Sequence, residues 1–95
     1  MLHVVAMFSV PNKQTDTFLK LAEELVAETV KEAGCISYEL VQDMQSKNTF
    51  MMLEKWENKE TLDIHSNSAH FQRIIPQISQ LVDQEITVKV CHKIF

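Results

Sequence analysis

Four segments of the chain alternate apolar and polar residues with the period of two that is typical of β-strands. They cover residues 2–10, 35–43, 49–57 and 85–95, and Pro11 ends the first of them. Residues 44–48 are polar, so the second and third strands are predicted to form a hairpin with a five-residue loop. The first three strands carry apolar residues on both faces, which indicates a sheet that is buried on both sides.

Two longer segments have apolar residues at helical spacing. The first is predicted to begin at a cap, Asn12 or Thr15, and to end near Ala33. Gly34 follows, and a glycine readily takes the left-handed conformation beyond a helix end. The polar face of this helix, which includes Glu32, is expected to be solvated.

The second helical segment is predicted in two pieces. Asn58 is expected to cap a short helix that bears Leu62 and His65, and Ser68 is expected to cap a longer one. Pro76 lies within the longer helix, where it removes one backbone hydrogen bond. The helix is therefore expected to bend or split at this position.

The resulting order, β-α-β-β-α-β, is that of a ferredoxin-like α+β sandwich, an antiparallel sheet with helices on one face. Ninety-five residues suffice for one domain, residues 1–95, and not for two separate cores. Helices on one face leave the other face of a largely apolar sheet bare. We therefore expect a homodimer in which a second copy of the chain packs sheet to sheet.

Composition narrows the classes of partner. The net charge is −4 and Lys and Arg form no run, which argues against a nucleic-acid or anionic-membrane partner. No segment approaches the roughly 18 apolar residues of a membrane span, and the first residues do not resemble a signal peptide, so a cytoplasmic protein is expected. Cys35 and Cys91 show no CxxC spacing and are predicted to be free thiols.

The densest group of polar and aromatic residues that can converge on one pocket lies on and after the third strand. Glu54 and Trp56 share a strand face with Phe50 and Met52, and the helix that follows can carry His65 back over that face. A pocket between sheet and helices is the predicted site. No motif for phosphate binding, zinc hydrolysis or serine nucleophiles is present, so the pattern predicts a site and not a reaction.

Each member of this group has a chemical and a packing interpretation. His65 can act as a base near neutral pH, or it can be a core histidine that caps a carbonyl. Trp56 can donate its indole N–H to a substrate oxygen, or it can fill the core. Glu54 is the least easily explained by packing, because a buried carboxylate must be paired or protonated. Orienting a histidine or transferring a proton would give it a role.

His70 lies beside a helix start, where a surface or capping role suits it as well as a catalytic one. A metal site made from Glu54, His65 and His70 is disfavoured, because the two histidines lack the four-residue spacing that aligns ligands on one helical face. No metal is therefore predicted.

The chain resembles the antibiotic biosynthesis monooxygenase (ABM) domain, particularly its small quinol-monooxygenase-like members. The resemblance extends over essentially the whole chain. The residues that carry it, in order and spacing, are Gly34-Cys35-Ile36-Ser37-Tyr38-Glu39-Leu40, then Glu54-Lys55-Trp56-Glu57-Asn58, then His65 with Ser68-Ala69-His70-Phe71.

This resemblance implies a dimeric α+β barrel that oxidises a small aromatic quinol or phenol with O2 and needs no cofactor. On that basis our hypothesis is that His65 is the catalytic base and that Glu54 orients it. Trp56, with Tyr38, is expected to bind the substrate oxyanion. The residues predicted to bind substrate are Tyr38, Phe50, Met52, His70 and Phe71.

Other members of the superfamily supply the alternatives. Haem-degrading enzymes are disfavoured, because that branch has an Asn on the first strand, where this chain offers Met7 and Phe8, and a Trp at the position of His65. An isomerase of the autoinducer-2 phosphate type shares the glutamate and the histidine pair matched by Glu54, His65 and His70, and it is the alternative enzyme. A non-catalytic dimer that binds a small apolar ligand is the alternative outside enzymes.

Overall fold

The computed structural model describes all residues, 1–95, and shows one antiparallel sheet with helices on one face. The strands pair in the order β2-β3-β1-β4. The elements along the chain are β1 (Leu2–Ser9), α1 (Thr15–Thr29), β2 (Cys35–Asp43), β3 (Ser46–Trp56), α2 (Lys59–Ser66), α3 (Ala69–Ser79) and β4 (Thr87–His92), with a short 3₁₀ turn at Asn12–Gln14. The predicted ferredoxin-like α+β fold is confirmed, including the division of the second helical segment.

The core lies between the helices and one face of the sheet. Even-numbered residues of β1 and β3 point towards the helices, and a single cluster of 13 buried apolar residues joins them to α1 and α3. Phe18 of α1 is the centre of an aromatic group, with its ring 5.4 Å from that of Phe8 and 5.0 Å from that of Phe50. Burying these large rings supplies much of the apolar area that stabilises the fold.

Helix α1 ends at Thr29, which corrects the prediction that it continues to about Ala33. The chain leaves the helix through a turn in which Glu32 accepts a backbone hydrogen bond from Cys35, and Gly34 adopts a φ of +88°. The side chain of Thr61 packs against Gly34, so there is no room for a Cβ atom here. Because α1 ends at Thr29, Glu32 lies in the turn that follows and not on the solvated face of the helix.

The β2–β3 hairpin is tighter than predicted. Strand β3 begins at Ser46, so the connection is only residues 44–45 and not the five residues 44–48. The side chain of Gln42 donates to the carbonyl of Lys47 at 2.9 Å, and that of Asn48 donates to the carbonyl of Val10 at 2.8 Å. These side-chain contacts extend the pairing through a polar segment that lacks the apolar alternation of a strand.

The structure specifies two predicted elements near the end of the chain, the helix that contains Pro76 and the last strand. Helix α3 runs without a break through Pro76, so the proline does not split it. Strand β4 covers six residues, ends at His92, and pairs only with β1. No helix of the chain is long and apolar enough to cross a membrane.

The helix-free face of the sheet has an apolar centre, with polar residues such as Glu39, Lys55 and Lys89 around it. Val5 pairs with Leu53 and Met7 pairs with Met51 across β1 and β3, and all four side chains are partly or largely exposed in the single chain. This surface is the one that the sequence analysis expects a second copy to cover.

Candidate active site

A cavity of about 290 Å³ lies between the sheet and helices α2 and α3, with β4 along one side. Its wall is mainly apolar, and Tyr38, Glu54 and His65 are the buried side chains with polar atoms that border it. The apolar lining residues are Val4, Ala6, Phe8, Met52, Leu62, Phe71, Ile75, Ile86, Val88 and Val90. A mostly apolar cavity with a few convergent polar groups is the usual form of a small-molecule site.

His65 lies in the last turn of α2, and hydrogen bonds at both ends of this helix hold its backbone in place. Helix α2 begins with a capping box, in which the Asn58 side chain accepts from the backbone N–H of Thr61 at 2.9 Å and Thr61 reaches back to the N–H of Asn58. At the other end, the Ser68 hydroxyl donates to the carbonyl of His65 at 2.7 Å and accepts from the N–H of Phe71, the third residue of α3. The backbone of His65 is therefore fixed from both directions.

The imidazole of His65 is 2% exposed and packs among aromatic rings. Its ring centre lies 4.7 Å from that of Trp56, 5.0 Å from that of Phe71 and 5.3 Å from that of Tyr38. Burial lowers the pKa of His65, although the hydrogen bond to Glu32 acts in the opposite direction. The neutral imidazole is thus favoured, which is the form that a base requires.

Glu32 is the carboxylate that orients His65. Its Oε2 atom lies 2.7 Å from Nδ1 of His65 and also 2.7 Å from Nε2 of His70. A carboxylate can only accept hydrogen bonds, so Nδ1 of His65 carries the proton and Nε2 is left unprotonated in the neutral ring. Glu54 makes no hydrogen bond to His65, which corrects the hypothesis that Glu54 orients the base.

Glu54 instead forms a buried pair with Trp56. The indole N–H of Trp56 donates to Oε1 of Glu54 at 2.9 Å, whereas Oε2 makes no hydrogen bond to the protein. Burial raises the pKa of Glu54 to about 7, against the lowering effect of the Trp56 hydrogen bond. Near neutral pH this side chain is therefore divided between a carboxylate and a carboxylic acid that can donate a hydrogen bond.

Tyr38 completes the polar part of the wall. It is 5% exposed, and its ring meets those of Trp56 and His65 edge-on. Burial raises the pKa of the Tyr38 hydroxyl well above its usual range, with a further contribution from the charge of Glu54. The hydroxyl therefore remains protonated, and the Thr29 side chain is its neighbouring hydrogen-bond partner.

The structure brings together five of the eight residues that the sequence analysis nominated. Tyr38, Met52, Glu54, His65 and Phe71 border the cavity. The other three lie elsewhere: Phe50 is in the aromatic core, Trp56 is fully buried with its N–H already bonded to Glu54, and His70 contacts Glu32. Trp56 consequently has no free donor for a substrate oxyanion, and this part of the hypothesis is corrected.

Glu32 is the residue of this site that was not predicted from the sequence. The helical spacing of residues 15–33 assigned it to a solvated face, yet its side chain is only 12% exposed. The signal that could have identified it is its position two residues before Gly34, where a turn to β2 already requires the helix to have ended.

Glu32, His65 and His70 are also the side chains best placed to hold a divalent cation, because their ligand atoms all lie within 4.8 Å of one another. Two imidazoles and a carboxylate suit a transition metal. Here, however, Nδ1 of His65 and Nε2 of His70 each donate to Oε2 of Glu32. A metal bound by these atoms would have to replace both hydrogen bonds. The three side chains satisfy one another without an ion, so we assign no metal to them.

Fold and cavity together define a ferredoxin-like α+β protein with a small apolar site in which a buried histidine is oriented by a carboxylate. The family model "Antibiotic biosynthesis monooxygenase" (ABM) matches residues 1–77. The chain therefore belongs to the ABM family.

Individual relatives are similar to this chain over almost its full length. YcnE of Bacillus subtilis, a candidate monooxygenase by its name, is 31% identical over 88 residues, which are 93% of this chain and 93% of that protein. A crystal structure of a conserved protein from Methanosarcina mazei Go1 is 35% identical, with a TM-score of 0.95 over 97% of this chain and 91% of that one. A crystal structure described as an antibiotic biosynthesis monooxygenase is 33% identical, with a TM-score of 0.94 over 99% of both chains.

Proposed function

We propose that this protein is a cofactor-independent monooxygenase that oxidises a small aromatic quinol or phenol with O2 in the cavity beside His65. The observation that carries the proposal is the buried imidazole, whose Nδ1 is held by Glu32 and whose Nε2 makes no hydrogen bond to the protein. Membership of the ABM family and the name of YcnE support the same reaction class.

The first step is removal of a proton from the substrate. Nε2 of His65 accepts the proton of an aromatic hydroxyl, and the electron pair of the broken O–H bond remains on the substrate oxygen. Glu32 stabilises the imidazolium that forms, because its carboxylate accepts the hydrogen bond from Nδ1. A positioned base of this kind typically contributes about 10²–10⁴-fold to a rate.

Tyr38 and the protonated form of Glu54 are the donors available to the resulting oxyanion. Both side chains border the cavity. Oε2 of Glu54 makes no hydrogen bond to the protein, whereas the Tyr38 hydroxyl has the Thr29 side chain beside it, a partner that a substrate oxyanion would replace. In a poorly solvated site, donors that are already in position stabilise an anion more effectively than they do in water. The electron-rich anion then reacts with O2, which is the oxidant. One oxygen atom bonds to a ring carbon and becomes the carbonyl oxygen of the product, and the other leaves as water with the two hydrogens that the substrate loses. The apolar wall limits competing reactions with water.

The proposal is tested by measuring oxygen consumption with a panel of quinols, naphthols and anthrones, with haem binding as a control for the haem-degrading branch. Replacing His65 by Ala, or by Gln to retain more of its volume, should lower the rate by about 10²-fold or more. His92→Ala provides the matched control, because His92 is exposed and lies outside the cavity wall. Unchanged turnover in both folded His65 variants would remove this residue as the base.

The charge of the site argues against the alternative isomerase, whose substrate is phosphorylated. Lys59 is the one cationic side chain that borders the cavity, and it is already paired with Asp63 at 2.8 Å. A phosphate group would meet a single ammonium group on this wall, next to the carboxyl groups of Asp63 and Glu54. The same substrate panel separates the non-catalytic alternative, which predicts binding of apolar ligands without oxygen uptake.

We also propose that two chains associate through the helix-free sheet face. Placing a charge at the centre of this face by Met7→Glu should give a monomer, because an unpaired buried carboxylate is costly. Met44→Glu is the matched control, since Met44 lies fully exposed at the hairpin tip. Light scattering of the wild type and both variants would decide, and a monomeric wild type would refute the dimer.

A further inference from the structure

His70 lies outside the cavity wall, yet it is coupled to the base. It shares the Oε2 atom of Glu32 with His65, at 2.7 Å in each case, and the two imidazole rings are 6.1 Å apart. His65 is 2% exposed, whereas the side chain of His70 is 16% exposed. One carboxylate thus links a fully buried imidazole with one that has access to solvent.

The other charged side chains near His70 form ion pairs with different residues. Arg73 pairs with Glu24 at 2.6 Å, and Glu28 pairs with Lys31 at 3.1 Å. Glu32 is consequently the one carboxylate that hydrogen-bonds to either histidine. A single negative charge stabilises one imidazolium well and two poorly, because the two positive charges repel each other across the shared oxygen.

We propose that His70 is a second proton carrier, which releases a proton to solvent each time that His65 takes one from the substrate. This inference rests on the proposed function, in which His65 is the base. It gives His70 a positioning role that acts through Glu32, and it replaces the substrate-binding role that the sequence analysis predicted.

The step leaves the total charge of the three side chains unchanged. In the proposed step, the proton that leaves the three side chains is the one on Nδ1 of His70, and His65 begins as the neutral ring. As the substrate O–H bond breaks and the Nε2–H bond of His65 forms, the Nδ1–H bond of His70 breaks, and its proton passes to water or to a buffer base. Glu32 then stabilises the imidazolium of His65, and the exchange runs in reverse when His65 returns its proton to the oxygenated product.

His70→Gln tests this coupling. The amide N–H of glutamine can still donate to Glu32, but the side chain cannot exchange a proton near neutral pH. Without the neighbouring positive charge, His65 keeps its own proton to higher pH and is then blocked as a base, so the acidic limb of the pH profile of oxygen uptake should move up by about one unit. At a fixed pH on that limb the rate should therefore fall on the order of tenfold, and well above it the rate should be at least that of wild type. His92→Gln, an exposed histidine away from the site, should retain the wild-type rate.

Two results would overturn the proposal: a His70→Gln variant with the wild-type pH profile, or a loss of rate that is the same at every pH. The second would mean that His70 only supports the local structure. The pH profile is therefore the readout that separates proton exchange from packing.

A measurement without turnover keeps this proposal distinct from the proposed function. The titration of His65 is followed by NMR of its ring nitrogens in the free protein. Its midpoint should move to higher pH in His70→Gln, because a nearby positive charge is removed, and to lower pH in Glu32→Gln, because a negative one is. Identical midpoints in wild type and His70→Gln would refute the coupling. Absence of oxygen uptake in the wild type with every substrate would instead refute the proposed function.

Discussion

Replacing Glu54 by Gln should make the folded chain more stable in alkaline solution and change little in acid. Glutamine preserves the shape of the side chain, and its Oε1 can still accept the hydrogen bond that Trp56 donates at 2.9 Å. The one property that the substitution removes is the ability to ionise at a buried position. Its effect on stability therefore isolates the cost of that buried charge.

The magnitude follows from the pKa of Glu54, which burial raises from 4.5 to about 7. Below pH 4.5 the side chain is protonated in both the folded and the unfolded chain, so wild type and variant should be similar. Between pH 4.5 and about pH 7, Glu54 loses its proton in the unfolded chain but keeps it in the folded chain. The wild type therefore loses stability as the pH increases through this range. At about 1.36 kcal/mol for each pH unit, the loss reaches about 3 kcal/mol above pH 7.

Urea unfolding of the two proteins at a fixed protein concentration from pH 4.5 to 9 would measure this difference. Glu57→Gln is the matched control, because Glu57 is exposed and lies directly after the same strand. The free energy of unfolding of Glu54→Gln should diverge upward from that of wild type across the window and then remain above it. Parallel curves across the whole range would refute the reasoning that Glu54 is buried with a raised pKa.

Three further substitutions test the framework around the site, each by the same urea assay. Gly34→Ala should lower the free energy of unfolding by about 1–3 kcal/mol, because the residue has a φ of +88° and its new Cβ would lie 2.6 Å from Cβ of Thr61; a neutral result would contradict the close approach. Ser68→Ala should cost about 1 kcal/mol, since α3 loses its N-cap and the carbonyl of His65 loses a donor; no loss would mean that water replaces both contacts. Phe18→Ala should cost about 3–5 kcal/mol through the cavity it leaves in the aromatic core, whereas the exposed neighbour Leu19→Ala should change stability much less.

Much of the fold could be predicted because a strand or helix that is buried on one side must repeat its apolar residues at a fixed spacing. The alternation along β3 placed Glu54 with Phe50, Met52 and Trp56 on the covered face, and the structure confirms that register. Gly34 marked the turn into β2 for the same local reason, since its backbone conformation is one that other residues avoid. These features depend on neighbouring residues alone.

The pairing of polar groups could not be predicted in the same way. Whether His65 meets Glu32 or Glu54 depends on where α1 ends, and helix ends are set by tertiary contacts as well as by local preference. The commitment of the Trp56 N–H to Glu54 likewise depends on side-chain rotamers across a buried face. The sequence pattern therefore identified the face on which the site lies, and the structure was needed to assign its hydrogen bonds.

Strand β4 has a consequence for which molecules can enter the cavity. It pairs only with β1, and its Val88 and Val90 side chains, which border the cavity, are each more than half exposed. Edge strands with few buried contacts open at lower free energy than central ones, so backbone amides in β4 should exchange with deuterium sooner than those in β3. A ligand larger than the resting volume of about 290 Å³ would have to displace this edge of the sheet, so the stability of β4 bears on the size of ligand that fits.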